Sequence, residues 1–171
     1  DGGADLAEIH CVGRRPSAPV NRLDHKARLA QARNVMKIII LGAGRVGYSV
    51  AESLVSERND ITVIDTNAQR LRELQERFDL RCVLGNGIDA KVLGEAGARD
   101  TDLLIACAAQ DETNLVCCKI AHMLYNIPTR IARVRSSGFE VEQPLMGPEG
   151  FAVDAIICPE ASLTRYISKL I

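Results

Sequence analysis

The chain has 171 residues, of which 47% are hydrophobic and 25% charged, and its formal net charge is -1. This is the composition of a globular domain with a full core, and it excludes an overall basic field of the kind that draws a protein onto nucleic acid or an anionic membrane. The longest apolar run, Leu103 to Ala109, is far short of the roughly 20 residues of a spanning helix, and residues 1–30 lack the apolar segment of a signal peptide.

Residues 1–35 are rich in Arg, Asp and Ala and hold no strand-like run. They read as a leader or an appended extension. A native extension with a short helix at 24–32 is the alternative. Met36 then opens MKIIILGAG as a natural start does, so the domain is expected over 36–171. Apolar runs at 37–42, 61–65, 81–84, 103–108 and 130–134, and a shorter one at 155–158, predict strands buried on both faces of a parallel sheet. Helical patterns fall between them. Residues 45–56 place Val46, Val50 and Leu54 on one face, and residues 68–78 do the same with Leu71, Leu74 and Phe78. Residues 89–96 give a short helix and 112–125 a longer one, which Pro128 stops. Thr66 to Gln69 has the form of a capping box. Alternation of strand and helix predicts right-handed βαβ units, a Rossmann-like doubly wound α/β sheet with helices on both faces. The Gly- and Pro-containing stretch 136–160 reads as loops, a short helical turn and a last strand. Residues 160–171 read as an amphipathic helix whose stripe of Leu163, Ile167, Leu170 and Ile171 seeks a partner.

Six cysteines are present: Cys11, Cys82, Cys107, Cys117, Cys118 and Cys158. No pair has C-x-x-C spacing and no Cys/His cluster has zinc spacing, so the expectation is buried, reduced thiols in a cytosolic protein.

Gly42, Gly44 and Gly47 form G-x-G-x-x-G between a strand and a helix, the context in which this pattern carries a phosphate. The first glycine permits the turn, the second admits the phosphate and the third lets the helix pack close. The helix N-terminus adds unsatisfied N–H groups and the positive end of a dipole. Asp65 ends the second strand 18 residues after Gly47, where an acid hydrogen-bonds ribose hydroxyls and repels a 2′-phosphate. The expected ligand is therefore an adenosine nucleotide other than NADP. Arg45 meets phosphate oxygens or solvent. Asn86 and Gly87 border an adenine, and Ala108 and Ala109 are small enough to let a nucleotide pass. Val46, Thr66 and Arg70 complete the expected contacts around the two loops. An enzyme needs an acid or base as well. His10 and His25 lie in the extension, His122 is mid-helix, and Tyr166 and Lys169 are three apart rather than four. Fewer than 40 residues follow the fifth strand, too few for a substrate domain. Binding without chemistry is the economical reading.

MKIIILGAGRVGYSVAESL, ITVIDTNAQRL, VLGNGIDAKVLGEAGARDTDLLIACAAQDETNLVCCKIA and RIARVRSSGF…VDAIICPE together resemble the N-terminal nucleotide-binding domain of the TrkA-type regulatory subunits of bacterial potassium uptake, the RCK or KTN family. The resemblance covers Met36 to Ile171, and DETN, ARV and VD…PE in this order are specific to it. It implies a Rossmann-like fold with a C-terminal crossover helix that makes homodimers. It implies rings of dimers under a TrkH- or TrkG-type membrane transporter, with the protein cytoplasmic at the inner face of the plasma membrane. NAD or NADH are the first expected ligands, and ATP, ADP or AMP the alternative. Gly42, Gly44, Gly47, Asp65, Asn86 and Gly87 match the family's nucleotide contacts. Ala108, Asp111, Glu112 and Asn114 match the loop and helix start after the fourth strand, and Arg133 matches the fifth strand end. Arg45 matches a residue that meets a terminal phosphate in ATP-binding relatives, and Glu160 an acid that holds a divalent cation in some. Many relatives have Asp in place of Asn86 and Thr in place of Ala108, which removes a charge and a hydroxyl here. Two other readings stay open: an NAD-dependent oxidoreductase or its cofactor-binding half, and the regulatory domain of a Kef-type potassium efflux system.

Overall fold

The computed structural model describes residues 35–55, 57, 59–136 and 143–158. Residues 1–34 of the expected extension 1–35, its helix at 24–32, Glu160 and the helix at 160–171 lie outside the described residues.

The chain runs β1 (Lys37–Leu41), α1 (Arg45–Val55), β2 (Asp60–Asp65), α2 (Ala68–Arg77), β3 (Arg81–Leu84), α3 (Ala90–Glu95), a 3₁₀ turn (Ala98–Asp100), β4 (Leu103–Ala106), α4 (Asp111–Tyr125), β5 (Thr129–Arg133), α5 (Gln143–Met146) and β6 (Ala155–Ile157). The strands form one sheet in the order β3-β2-β1-β4-β5-β6, and every neighbouring pair is parallel. The doubly wound expectation therefore holds, with the order reversing between β1 and β4.

The strands read as unbroken apolar runs because both faces are covered. Ile38 and Ile40 point into one core with Ile61, Val63, Ile105 and residues of α1 and α2. Ile39 and Leu41 point into the other with Ile64, Leu104, Leu93 of α3 and Leu115, Cys117 and Cys118 of α4. The period of two divides each strand between two helix layers.

Two termini depart from the sequence reading. The N-cap of α2 is Asn67, whose side chain accepts from the N–H groups of Gln69 and Arg70, so Thr66 does not cap this helix. Asn67 takes that position because its own N–H is fixed by the Asp65 carboxylate at 2.7 Å. The run 103–108 ends as strand at Ala106; Cys107 still donates its N–H to the Leu41 carbonyl, and Cys107 and Ala108 line a cleft. Helix α4 closes on Asn126 in the left-handed region (φ 53), two residues ahead of Pro128.

One buried charge organises the far edge. The guanidinium of Arg130, with its side chain 9% exposed, donates to the carbonyls of Ile127 and Ala152 and pairs with Asp154 at 2.9 Å. Asp154 also accepts from the Arg130 N–H, which docks the chain entering β6 onto β5. Arg130→Met leaves two buried carbonyls without a donor and is expected to cost about 2–4 kcal/mol. Asp154→Asn keeps an acceptor at a side chain 44% exposed and is expected to cost under about 1 kcal/mol. Urea denaturation midpoints of the two variants check the difference.

Candidate functional site

The carboxyl ends of the central strands open into a cleft of about 600 Å³ at the point where the strand order reverses. The loop from β1 to α1 supplies Gly42, Gly44, Arg45 and Val46, and the loop from β2 to α2 supplies Asp65, Thr66 and Arg70. Asn86 and Gly87 follow β3, Ala108 and Ala109 follow β4, and Arg133 ends β5. All twelve were singled out from the sequence, and the fold brings them onto one cleft.

The glycine loop has three distinct steric demands. Gly42 has φ +100, and a Cβ there would lie 2.9 Å from the Ala108 backbone. Gly47 does not line the cleft. It is buried in α1, and a Cβ there would fall 1.8 Å from the Gly42 carbonyl oxygen. Around Gly44 a Cβ would meet nothing within 4 Å, so this residue keeps the cleft floor open. The Tyr48 N–H already donates to the Gly44 carbonyl, so the helix begins right at the cleft.

Asp65 is buried, with both carboxylate oxygens engaged. Oδ2 accepts from the Ala43 N–H at 2.6 Å and Oδ1 from the Asn67 N–H at 2.7 Å. Each oxygen keeps a second lone pair, so a ribose hydroxyl can add to this arrangement without displacing it. Asn86 uses its carboxamide oxygen to accept from the Ile88 N–H, which shapes the turn after β3.

Three expected residues sit behind or outside the wall. Asn114 is fully buried, accepting from the Ala108 N–H at 2.8 Å and donating to the Ala108 and Arg133 carbonyls. It ties the ends of β4 and β5 together. Asp111 accepts through Oδ2 from the N–H groups of Arg135 and Ser136, both at 2.9 Å. Burial alone would raise its pKa, but these donors and the Arg135 guanidinium outweigh burial and hold the carboxyl below its ordinary value. Its stabilising contribution is therefore present above the ordinary carboxylate range and lost as pH falls through the lowered value. Glu112 is exposed at the first turn of α4, where its charge suits the helix dipole.

The cleft also uses Gln110, Thr113 and Arg135, which the sequence reading did not single out. A signal for Arg135 was available, since in extended chain it falls on the same side as Arg133 two residues earlier. Four guanidiniums (Arg45, Arg70, Arg133 and Arg135) thus face one lining carboxylate, Asp65, in a chain of net charge -1. The cleft is built for an anion.

The described cysteines are free thiols. Burial pushes Cys107 up to about 12 against the pull of Arg133, Cys118 to about 12 and Cys82 to about 11, and it drives Cys117 up as well. Among the described residues no His, Cys, Asp or Glu cluster is arranged to hold a metal, and no helix is long and apolar enough to cross a membrane.

Fold and cleft together define the class, a Rossmann-like nucleotide-binding domain. Residues 38–159 match the TrkA-N domain, and the chain belongs to that family. The Trk system potassium uptake protein TrkA of Vibrio alginolyticus is 51% identical over 137 residues, covering 80% of this chain and 30% of that protein. The chain thus spans about a third of the length of this curated relative. Among solved structures, the TrkA-N domain of the Escherichia coli inner membrane protein ybaL superposes with a TM-score of 0.69 at 22% identity, covering 80% of this chain and 97% of that one. The GsuK channel bound to NAD superposes with a TM-score of 0.63 at 20% identity, covering 78% of this chain and 23% of that one. At these identities the structural likeness concerns the fold.

The glycine geometry separates stability from ligand access. Gly47→Ala is expected to cost about 1–3 kcal/mol, because helix and loop must part. Gly44→Ala should stay within about 0.5 kcal/mol of wild type. Thermal unfolding of both variants checks this. The thiols give a second test. At pH 8, iodoacetamide should leave Cys107, Cys117 and Cys118 unmodified in the folded chain and label them after denaturation, as read by peptide mass spectrometry.

Proposed function

We propose that this chain is the nucleotide-sensing part of a longer potassium-uptake regulator, binding NAD or NADH in its cleft. ATP, ADP or AMP is the alternative ligand set. The observation that carries the reading is the pairing of Asp65 at the end of β2 with an open glycine loop at the end of β1. That pairing offers ribose hydroxyls an acceptor and the adjoining phosphates a helix N-terminus. The arginines around it favour a ligand of several negative charges. The name of the Vibrio relative supports the potassium-uptake context, and the NAD-bound GsuK channel supports the ligand class.

The role is binding rather than turnover. The titratable groups on the cleft wall are arginines, an Asp65 engaged by two backbone donors, and a Cys107 thiol that is neutral at physiological pH. In the full-length protein, homodimers and higher rings sit at the cytoplasmic face of a TrkH- or TrkG-type transporter. Bound nucleotide shifts the ring between two shapes by its differential affinity for them. Residues 36–171 form the binding domain and Arg45 meets the phosphates. Glu160 is the candidate for a cation contact.

Isothermal titration of the chain with NAD, NADH, ATP, ADP, AMP and NADP tests this. NAD or NADH should bind, NADP should bind at least about tenfold more weakly, and Asp65→Asn should lose about 10–100-fold in NAD affinity. Absence of binding by all six would overturn the reading.

A further inference from the structure

The two sides of the cleft differ in how firmly they are held. On the Asp65 side both carboxylate contacts are short, at 2.6 and 2.7 Å, and the carboxylate itself is buried. On the β5 side one charged group is loosely placed. The Arg135 side chain is 48% exposed, and its Nε lies 3.6 Å from Asp111 Oδ1, beyond hydrogen-bond range. Asp111 itself is 8% exposed, and its Oδ1 is buried without a hydrogen-bond partner. Among the described residues the Arg135 guanidinium has one hydrogen bond, to the carbonyl of Ala109, a residue of the cleft wall. The backbone beneath it is fixed, because Asp111 Oδ2 holds the N–H groups of both Arg135 and Ser136. Arg135 is therefore an arm on a rigid base, resting on the cleft wall with most of its donors meeting no acceptor among the described residues.

Its distance from Asp65 decides what it can read. Going from β2 to β1, β4 and β5 takes three steps across the sheet, roughly 14 Å at about 4.8 Å per step. An adenosine monophosphate with its ribose on Asp65 and its phosphate on the glycine loop occupies the β2 and β1 ends. Only a ligand that continues past the first phosphate reaches the exit of β5.

We infer that Arg135 is a specificity arm for nucleotides with two or more phosphates, exchanging the Asp111 carboxylate and the Ala109 carbonyl for phosphate oxygens when such a ligand enters. Asp111 competes with the ligand for the guanidinium, while its backbone bonds stay in place. The inference rests on the nucleotide-binding reading and adds the part of the ligand that the far side recognises.

The two residues then act in opposite directions, which a merely structural role does not produce. Removing the guanidinium weakens polyphosphate binding. Removing the competing charge strengthens it, because Asn at position 111 retains an oxygen for the two backbone N–H groups. The experiment is isothermal titration of AMP, ADP and NAD into wild type, Arg135→Gln and Asp111→Asn, with thermal unfolding to confirm that each variant folds. Arg135→Gln should weaken ADP or NAD by about tenfold and AMP by less than about threefold. Asp111→Asn should tighten ADP or NAD severalfold. A selective loss with ADP alone assigns the arm to a terminal phosphate, and a loss with both ligands assigns it to the shared diphosphate. Equal losses for all three ligands in Arg135→Gln, or weaker ADP and NAD binding in a folded Asp111→Asn, overturn the arm while leaving nucleotide binding intact. If Asp111→Asn does not fold, the Arg135→Gln selectivity decides alone. If none of the three ligands binds wild type, the nucleotide reading falls and the arm with it.

Discussion

The buried carboxylate of Asp65 is the contact on which the site depends. An ionised group taken out of water is costly unless polar partners replace the lost solvent. Here two backbone N–H groups do so, one from Ala43 in the glycine loop and one from Asn67 at the start of α2. These are the loops that leave neighbouring strands β1 and β2. A single side chain thus sets the distance between the glycine loop and the start of α2. It also selects the N-cap of α2, since fixing the Asn67 N–H turns the Asn67 side chain back onto Gln69 and Arg70. In the proposed reading, ligand recognition and helix initiation share one residue.

Steric contacts complete the frame. Gly47 lets α1 lie against the Gly42 carbonyl, and Gly42 lets the loop lie against Ala108 at the exit of β4. On the other side Asn114 ties the Ala108 backbone to the Arg133 carbonyl. From β2 to β5 the strand ends are therefore linked in a continuous series of close contacts, all made by groups with little freedom. A cleft framed this way is formed before ligand arrives, so less ordering is needed on binding.

The fold was largely legible because a parallel sheet covered on both faces announces itself. Runs such as Ile38 to Leu41 and Ile61 to Ile64 have no other explanation when helical patterns separate them. The expected strand at 103–108 runs past the observed end of β4 at Ala106, because Cys107 is apolar as part of the core under α1 and Ala108 as part of the cleft wall. Thr66 and Asn67 are both good cap formers, and only the tertiary contact with Asp65 chooses between them. At the site, residue types gave chemistry but not orientation. Asp111 and Asn114 carry groups suited to a ligand, yet their groups bind backbone behind the wall. For Arg135 the only local mark is its spacing of two from Arg133, and its place on the cleft depends on where β5 ends.

The frame has a consequence for signalling. A rigid pocket binds tightly but transmits little, because a ligand moves an equilibrium only through contacts that differ between two states. On the Asp65 side the polar contacts are made within the protein itself, so in the proposed reading that side selects for a free ribose but has little freedom to change state. On the β5 side Arg135 has alternative partners, and Asp111, Ala109 and an incoming anion cannot all hold it at once. In that reading, discrimination by phosphate number and sensitivity of the protein to the ligand belong at the same end of the cleft. The division of labour follows from packing: the buried end is over-determined by the backbone, and the half-exposed end is left a choice.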